Sequence, residues 1–182
     1  MPRMTSKPQL SGRRIQVIGV TGAGKSTFAR RLGKQLSIPV LELDSLFHQS
    51  RAGGVLSEDD ARRTVQALVE SNDEWILDGN HWVQLKDVSY SIATDILWID
   101  TPLPLTLWRV ITRTIWEVLT IPGVLRRELS GNSLVAMSLR VRAKKHANWS
   151  KRVGADPRWK RLSSWYGRES FLARVRDSLR TL

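Results

Sequence analysis

Residues 14–36 contain a short apolar run, a glycine-rich segment and an amphipathic run, in that order. The first run, Arg14-Ile-Gln-Val-Ile-Gly-Val20, is rich in β-branched residues, which favour a strand. Gly19-Val-Thr-Gly-Ala-Gly-Lys-Ser-Thr27 interrupts it. Helix-forming residues with apolar positions at a spacing near 3.6 then run from Lys25 to Leu36. The sequence therefore predicts a strand, a tight loop and a helix in direct succession.

The glycine-rich segment has the spacing of a phosphate-binding loop, or P-loop. Its glycines let the backbone curl so that successive N–H groups point at a β-phosphate, and the following helix adds the positive end of its dipole. We expect Lys25 to reach the β- and γ-phosphates and Ser26 to give a hydroxyl to Mg²⁺. The predicted site for ATP and Mg²⁺ comprises Gly19, Thr21, Gly22, Ala23, Gly24, Lys25, Ser26 and Thr27.

Short apolar runs alternate with helical patterns along most of the chain. Strands are predicted at 14–20, 40–43, 75–77, 96–99 and, more weakly, 161–165. Helices are predicted at 25–36, after a capping box at Ser57, and at 104–120, 133–149 and 169–179, and a loop containing Gly53-Gly54 is predicted to begin at Asp44. This alternation predicts an α/β fold: a mostly parallel sheet with helices on both faces and a ligand site at the carboxyl ends of its strands.

The composition fits one globular domain. The chain has 182 residues, 41% of them hydrophobic and 25% charged. It contains no cysteine, which excludes disulfides, thiolate zinc sites, iron–sulfur clusters and a cysteine nucleophile. We predict a flexible N-terminal tail at 1–13 and a single domain at 14–182. No apolar run suits a signal peptide or a membrane span, so the cytoplasm is the expected location.

Positive charge is concentrated in the second part of the sequence. Residues 1–100 hold 12 Lys or Arg and 12 Asp or Glu, whereas residues 101–182 hold 17 and 5, which accounts for the net charge of +12. This excess is expected either to face an anionic ligand or to remain on a solvated surface. One interpretation is a basic, lid-like segment around 109–152 that closes over a nucleotide. The alternative is a nucleic-acid surface of Arg140, Arg142, Lys144, Lys145, Lys151 and Arg152 with Trp149 and Trp159 for base stacking.

Three aspartates follow predicted strands and are candidates for the chemistry. Phosphoryl transfer needs a carboxylate near Mg²⁺, and both Asp78 and Asp100 fit; Asp78 is preferred because Gly79 lets its backbone approach a phosphate. Asp100 fits equally well as the cap of the helix that follows. Asp44 is the candidate that holds the acceptor or takes the proton from its hydroxyl, the alternative being a turn-forming residue.

Arginines after the fourth strand are candidates for stabilising the charge of the transition state. Arg109 and Arg113 are predicted to act in this way, and the alternative is a solvated helix face in which they pair with Glu117. Arg126 and Arg127 follow in a polar stretch that suits a mobile lid.

Several of these motifs together resemble a known group. The chain is similar to the nucleotide-monophosphate kinase and shikimate kinase group of P-loop proteins, and within it to the adenylate-kinase-related (DNA topology modulation, FlaR-type) proteins. The resemblance runs in order from Ile15 to Arg113, with a weaker match at Arg127–Asn132. It rests on Gly19–Thr27, Ile76-Leu-Asp-Gly79, and Leu97-Trp-Ile-Asp-Thr-Pro102 with Arg109 and Arg113 downstream.

The resemblance implies a fold and roles for particular residues. It implies a three-layer α/β/α P-loop fold with a five-stranded parallel sheet in the order 2-3-1-4-5 and a helical lid segment. Asp78 is then the carboxylate associated with magnesium, and Arg109 and Arg113 belong to the lid.

The acceptor side departs from the patterns of this group. Adenylate kinases follow Asp-Gly with Phe-Pro-Arg, whereas this chain has Asn80-His81-Trp82, so an arginine for an acceptor phosphate is absent at that point. The paired aspartates of shikimate kinases are reduced to Asp44, with Leu46 in the second place. His81 lies near the expected acceptor pocket, where an ordinary loop histidine is the simpler interpretation.

Two functions are carried forward from the sequence. The first is a small kinase that moves the γ-phosphoryl of ATP to a small-molecule or nucleotide acceptor held by Asp44, Asn80 and loop residues. The second is an ATP-dependent nucleic-acid-binding protein. A GTPase is disfavoured because the chain lacks an Asn-Lys-x-Asp segment.

Overall fold

A five-stranded parallel sheet forms the centre of the molecule. The computed structural model describes residues 9–51, 57–120 and 134–180. The strands lie in the order β2-β3-β1-β4-β5, and every neighbouring pair is parallel, so the predicted fold class and strand order are confirmed. The strands are β1 (Arg14–Gly19), β2 (Val40–Glu42), β3 (Trp75–Asp78), β4 (Asp95–Ile99) and β5 (Trp159–Leu162).

Helices connect the strands and cover the sheet. They are α1 (Lys25–Leu36), α2 (Leu43–Arg51), α3 (Glu58–Ser71), α4 (Trp82–Leu85), α5 (Leu103–Thr120), α6 (Leu134–Ala155) and α7 (Trp165–Arg180), with a π-helical turn at Lys86–Tyr90. The prediction that a loop begins at Asp44 is wrong, because α2 begins directly after β2. Leu43 and Phe47, four residues apart on one face of α2, are both buried in the core.

Apolar side chains fill both faces of the sheet. Along β3, Ile76 faces one core, which α1 and α7 cover. Trp75 and Leu77 face the other core, which includes residues of α2, α3 and α6. This burial on both sides explains why the central strands are almost entirely apolar in sequence.

The N-terminus of α3 has the predicted capping box. The backbone N–H of Asp60 donates to the Ser57 hydroxyl at 3.1 Å, and the backbone N–H of Ser57 donates to the Asp60 carboxylate at 3.1 Å. Each side chain thus satisfies a backbone donor that the helix leaves free.

Residues 11 and 12 are attached to the sheet through Asp95, which is fully buried. The backbone N–H groups of Ser11 and Gly12 donate to its carboxylate at 3.0 and 2.9 Å, and Lys160 forms an ion pair with it. The end of the segment predicted to be a flexible tail is therefore anchored at these two residues.

Helix α5 has one side buried and the other exposed. Thr106 and Val110 are buried, whereas Trp108 and Trp116 are exposed. Within the described ranges, none of the helices is long and apolar enough to cross a membrane.

We predict that Asp95→Ala destabilises the protein by about 3–5 kcal/mol, because it leaves the Lys160 ammonium buried without a counter-charge. Urea unfolding followed by circular dichroism measures this loss. Asp87→Ala is the control: it breaks an ion pair with Arg62 at the surface and should lower stability far less. Adding Lys160→Met to Asp95→Ala should recover part of the loss, and a double variant as unstable as Asp95→Ala would contradict the role of the charge.

Candidate active site

The glycine-rich loop has a conformation and surroundings that require its glycines. Gly22 and Gly24 have φ angles of 78° and 86°, in the left-handed region. A Cβ on Gly22 would lie 2.9 Å from the Thr106 carbonyl oxygen, and one on Gly19 would lie 2.7 Å from that of Ile99. The loop is therefore closely packed between the end of β4 and the first turns of α5.

Lys25 lies at the mouth of this loop beside the carboxylate of Asp44. Its side chain is buried, and its Nζ lies 3.5 Å from Oδ2 of Asp44, whose side chain is 60% exposed. Partial desolvation would raise the pKa of Asp44, but a hydrogen bond with His81 and the charge of Lys25 outweigh it, so the pKa lies below its usual value. Asp44 is thus an accessible, ionised carboxylate next to the cation expected to bind phosphate.

Asp78 and Ser26 form the part of the site that suits a magnesium ion. Asp78 ends β3 and is only 2% exposed. Burial raises its pKa, although a hydrogen bond with Ser26 and the charge of Lys25 act in the opposite direction. Its Oδ1 is buried without a hydrogen-bond partner. An orphaned carboxylate oxygen beside a hydroxyl is a donor set suited to Mg²⁺, so these two residues fit the predicted ion.

Asp100, the alternative candidate for magnesium, has other partners. Arg161 donates to its Oδ2 at 2.6 and 2.9 Å, Nε2 of His146 lies 3.3 Å away, and Arg142 lies 3.7 Å from Oδ1. These contacts hold β5 and α6 against the end of β4. Ser26 is hydrogen-bonded to Asp78, and so the geometry brings Asp78 rather than Asp100 to the P-loop hydroxyl.

Asn80 binds the loop itself through both ends of its amide. Its Oδ1 accepts from the Gly19 N–H at 2.9 Å, and its Nδ2 donates to the Gly19 carbonyl at 2.5 Å. The sequence-based assignment of Asn80 to the acceptor is therefore not supported by its contacts. Its role in this structure is to fix the end of β1 to the segment after β3.

The predicted arginines lie on α5, and a further one comes from α7. Nη1 of Arg109 lies 3.4 Å from the Gly22 carbonyl oxygen, and Arg113 is exposed one turn further along. Arg168 is buried and donates to the Ala23 carbonyl at 3.3 Å and the Thr101 hydroxyl at 2.5 Å. Sequence reasoning missed Arg168 because it belongs to no motif. Arg126 and Arg127 lie outside the described residues.

The described residues of the basic stretch of α6 do not support the predicted nucleic-acid surface. Trp149 and Trp159 are buried, so they cannot stack on bases. Arg142 donates to the Thr101 carbonyl at 2.8 Å, and Arg152 lies 4.0 Å from the centre of the Trp82 ring. Among the predicted basic residues whose side chains the structure describes, only Lys144 and Lys151 are exposed. The predicted base stacking by the two tryptophans is therefore wrong, and nucleic-acid binding by the described basic residues is not supported.

Lys145 lies within electrostatic range of Lys25 and Asp44. It is half-buried, and its ammonium lies 5.7 Å from the centre of the Trp149 ring. Burial and the positive charge of Lys25 lower its pKa, while Asp44 acts in the opposite direction. Helix α6 thus carries a lysine whose charge interacts with those of Lys25 and Asp44.

Comparison with known proteins relates the chain to small kinases. No protein-family model matches it. A gluconokinase of Arabidopsis thaliana is 38% identical over 82 residues, and the alignment spans only 42% of this chain and 43% of that protein.

Solved structures match over most of the chain. A sugar kinase from Janibacter sp. HTCC2649 has a TM-score of 0.52 at 18% identity and covers 96% of this chain and 94% of its own. A gluconokinase from Sinorhizobium meliloti 1021 has a TM-score of 0.51 at 16% identity, and the match covers 96% of this chain and 98% of that one. A shikimate kinase from Bacteroides thetaiotaomicron has a TM-score of 0.52 at 16% identity, and the match covers 92% of this chain and 98% of that one. The chain has the fold of P-loop kinases. None of these similar proteins is of the DNA topology modulation type, which stays a prediction.

We predict that Asp78→Asn stabilises the ligand-free protein at neutral pH. The pKa of Asp78 is higher in the folded than in the unfolded chain, so the free energy of unfolding falls as pH rises through it, and a neutral side chain removes that cost. The same variant should lose the dependence of ATP affinity on Mg²⁺. Thermal unfolding and calorimetric titration with and without Mg²⁺ measure the two effects.

Asp100→Asn is the matched control, with the opposite sign expected. It leaves Arg161 and Arg142 without their counter-charge, which should cost about 3 kcal/mol, or roughly 6–12 °C in Tm for a chain of this size. Equal losses of stability in the two variants would show that Asp78 is a structural carboxylate like Asp100.

Proposed function

We propose that the protein is a kinase that transfers the γ-phosphoryl group of ATP to a hydroxyl of a small molecule, with Mg²⁺. The main support is the position of Asp44: an accessible carboxylate in the first turn of α2, 3.5 Å from the P-loop lysine. The similarity in fold to a sugar kinase, a gluconokinase and a shikimate kinase is consistent with this assignment.

The site residues have distinct roles in the proposed transfer. The acceptor oxygen bonds to the γ-phosphorus, the bond from that phosphorus to the β,γ-bridging oxygen breaks, and ADP leaves with the electron pair. Asp44 binds the acceptor hydroxyl and takes its proton. Lys25 and Arg109 stabilise the charge that spreads over the phosphoryl oxygens, with Arg113 further along the same helix. Mg²⁺, held by Ser26 and Asp78, would neutralise charge on the β- and γ-phosphates.

The acceptor is proposed to be a small hydroxylated acid rather than a nucleotide. The chain lacks the arginine after Asp78-Gly79 that a nucleotide phosphate would need, and Asn80 at that point is bonded to Gly19. Lys145 is half-buried, interacts electrostatically with Asp44, and is suited to an anionic group on the acceptor. The 38% identical segment shared with a gluconokinase favours the same class.

We predict that a polyhydroxy acid stimulates ATP turnover and that nucleoside monophosphates do not. The measurement is ADP release with a panel that contains gluconate, shikimate, other sugar acids, neutral sugars, nucleoside monophosphates and short DNA. Lys25→Ala should lower stimulated turnover by at least about 100-fold, and Asp44→Asn should lower kcat by about 100- to 10,000-fold with little change in ATP affinity.

Lys34→Ala is the control, because Lys34 is an exposed lysine on the same helix as Lys25. It should leave turnover unchanged. Stimulation by a nucleoside monophosphate alone would overturn the acceptor class, and stimulation by DNA alone would overturn the small-molecule kinase. An undiminished kcat in Asp44→Asn would show that Asp44 does not take the proton of the acceptor hydroxyl.

A further inference from the structure

His81 has a defined place in the site that the sequence did not assign to it. Its side chain is only 13% exposed, and its Nε2 lies 3.2 Å from Oδ1 of Asp44. Lys25 approaches the other oxygen, Oδ2, at 3.5 Å. The Asp44 carboxylate is therefore held at both oxygens, by groups from two different parts of the fold.

The ring of His81 is itself held in place. It stacks on Phe47, with ring centroids 4.2 Å apart and an interplanar angle of 17°, and Phe47 is buried in the core. The preceding residue, Asn80, is bonded to Gly19, and the His81 carbonyl accepts the Leu85 N–H at 3.0 Å in α4. A side chain fixed at its backbone and at its ring face loses little entropy when it bonds a neighbour.

Gly79, which precedes Asn80 and His81, leaves the space that the contact between His81 and Asp44 requires. Gly79 has a φ of 153°, and a Cβ there would lie 2.8 Å from the Leu43 Cβ, 3.2 Å from Oδ1 of Asp44 and 3.3 Å from Cδ2 of His81. The approach of His81 to Asp44 thus depends on a residue without a side chain between them.

We propose that His81 is a positioning residue that fixes the Asp44 carboxylate for the acceptor hydroxyl, an inference that rests on the proposed kinase function. Without His81, Lys25 would be the one described side chain left in contact with the Asp44 carboxylate, which would turn toward that cation and away from the acceptor. A well-positioned proton acceptor matters because small displacements of a reacting group cost large factors in rate. His81 acts through Asp44 and contacts no reacting atom.

Three substitutions separate the hydrogen bond from the packing. His81→Gln carries an amide N–H to about the reach of Nε2, whereas His81→Asn reaches only as far as Nδ1. His81→Phe keeps an aromatic ring on Phe47 but has no donor. We expect kcat for the acceptor to fall about 10- to 100-fold in the Asn and Phe variants and by less than about threefold in the Gln variant. The Kd for ATP with Mg²⁺ should stay within about threefold of wild type in all three, since no phosphate contact changes.

A second readout does not depend on turnover. The groups that act on Asp44 are Lys25 from α1, Asp78 from β3, Tyr90 from the π-helical turn and Lys145 from α6, together with His81. Since the His81 hydrogen bond favours the ionised form, its loss should raise the pKa of Asp44 in the Asn and Phe variants and leave it near the wild-type value in the Gln variant. Carboxyl carbon NMR of the ligand-free protein measures this titration.

The outcomes distinguish this proposal from the proposed function. Equal losses of kcat in the Gln and Asn variants, or full activity in the Asn and Phe variants, would overturn the positioning role. If wild type shows no acceptor-dependent turnover, the kinase function fails, and the positioning role falls with it. An unchanged pKa of Asp44 in the Asn variant would show that no hydrogen bond from His81 stabilises the ionised carboxylate. This result would contradict the positioning role whether or not an acceptor is found.

Discussion

The phosphate-binding loop is held by hydrogen bonds from both neighbours of the central strand β1. On one side, Asn80, which lies just after β3, forms hydrogen bonds through its side-chain amide with both backbone groups of Gly19. On the other side the Thr101 hydroxyl, just after β4, donates to the Ala23 carbonyl at 2.7 Å. Thr101 also accepts from Arg168 of α7 and, through its carbonyl, from Arg142 of α6. The conformation of the loop therefore depends on β3 and β4 lying on either side of β1. Helices α6 and α7 are linked to the loop through their contacts with Thr101.

Several arginines in the described part of residues 101–182 make contacts within the protein, so the net charge of +12 is not by itself evidence for a nucleic-acid surface. Arg142 and Arg161 bind Asp100 or the adjacent backbone, and Arg158 donates to the Tyr90 carbonyl at 3.0 Å. Arg152 lies over buried tryptophan rings. A planar guanidinium with several donors suits such internal contacts, whereas a lysine ammonium is a compact point charge. Lys25, by contrast, lies at the mouth of the P-loop.

The donor side of the site could be predicted because its chemistry depends on residues close in sequence. Gly19–Thr27 brings backbone, lysine and hydroxyl together within nine residues, and strand ends at Asp44 and Asp78 follow from apolar runs that stop at a polar residue. Helix α2 was missed because it is short and starts without a break from a three-residue strand. Arg168 was missed because its contacts with Ala23 and Thr101 are made far away in the sequence.

The sequence by itself determined the α/β fold, the phosphate-binding loop and the carboxylates available to it, because periodicity and local spacing encode strands, helices and turns. Only the tertiary structure decided that Asp78 meets Ser26 while Asp100 meets Arg161, that Asn80 supports the loop, and that His81 reaches Asp44. Such choices depend on which strand ends become neighbours in the sheet and on which side chains are buried between helices. These are properties of long-range packing, and no local pattern in the chain specifies them.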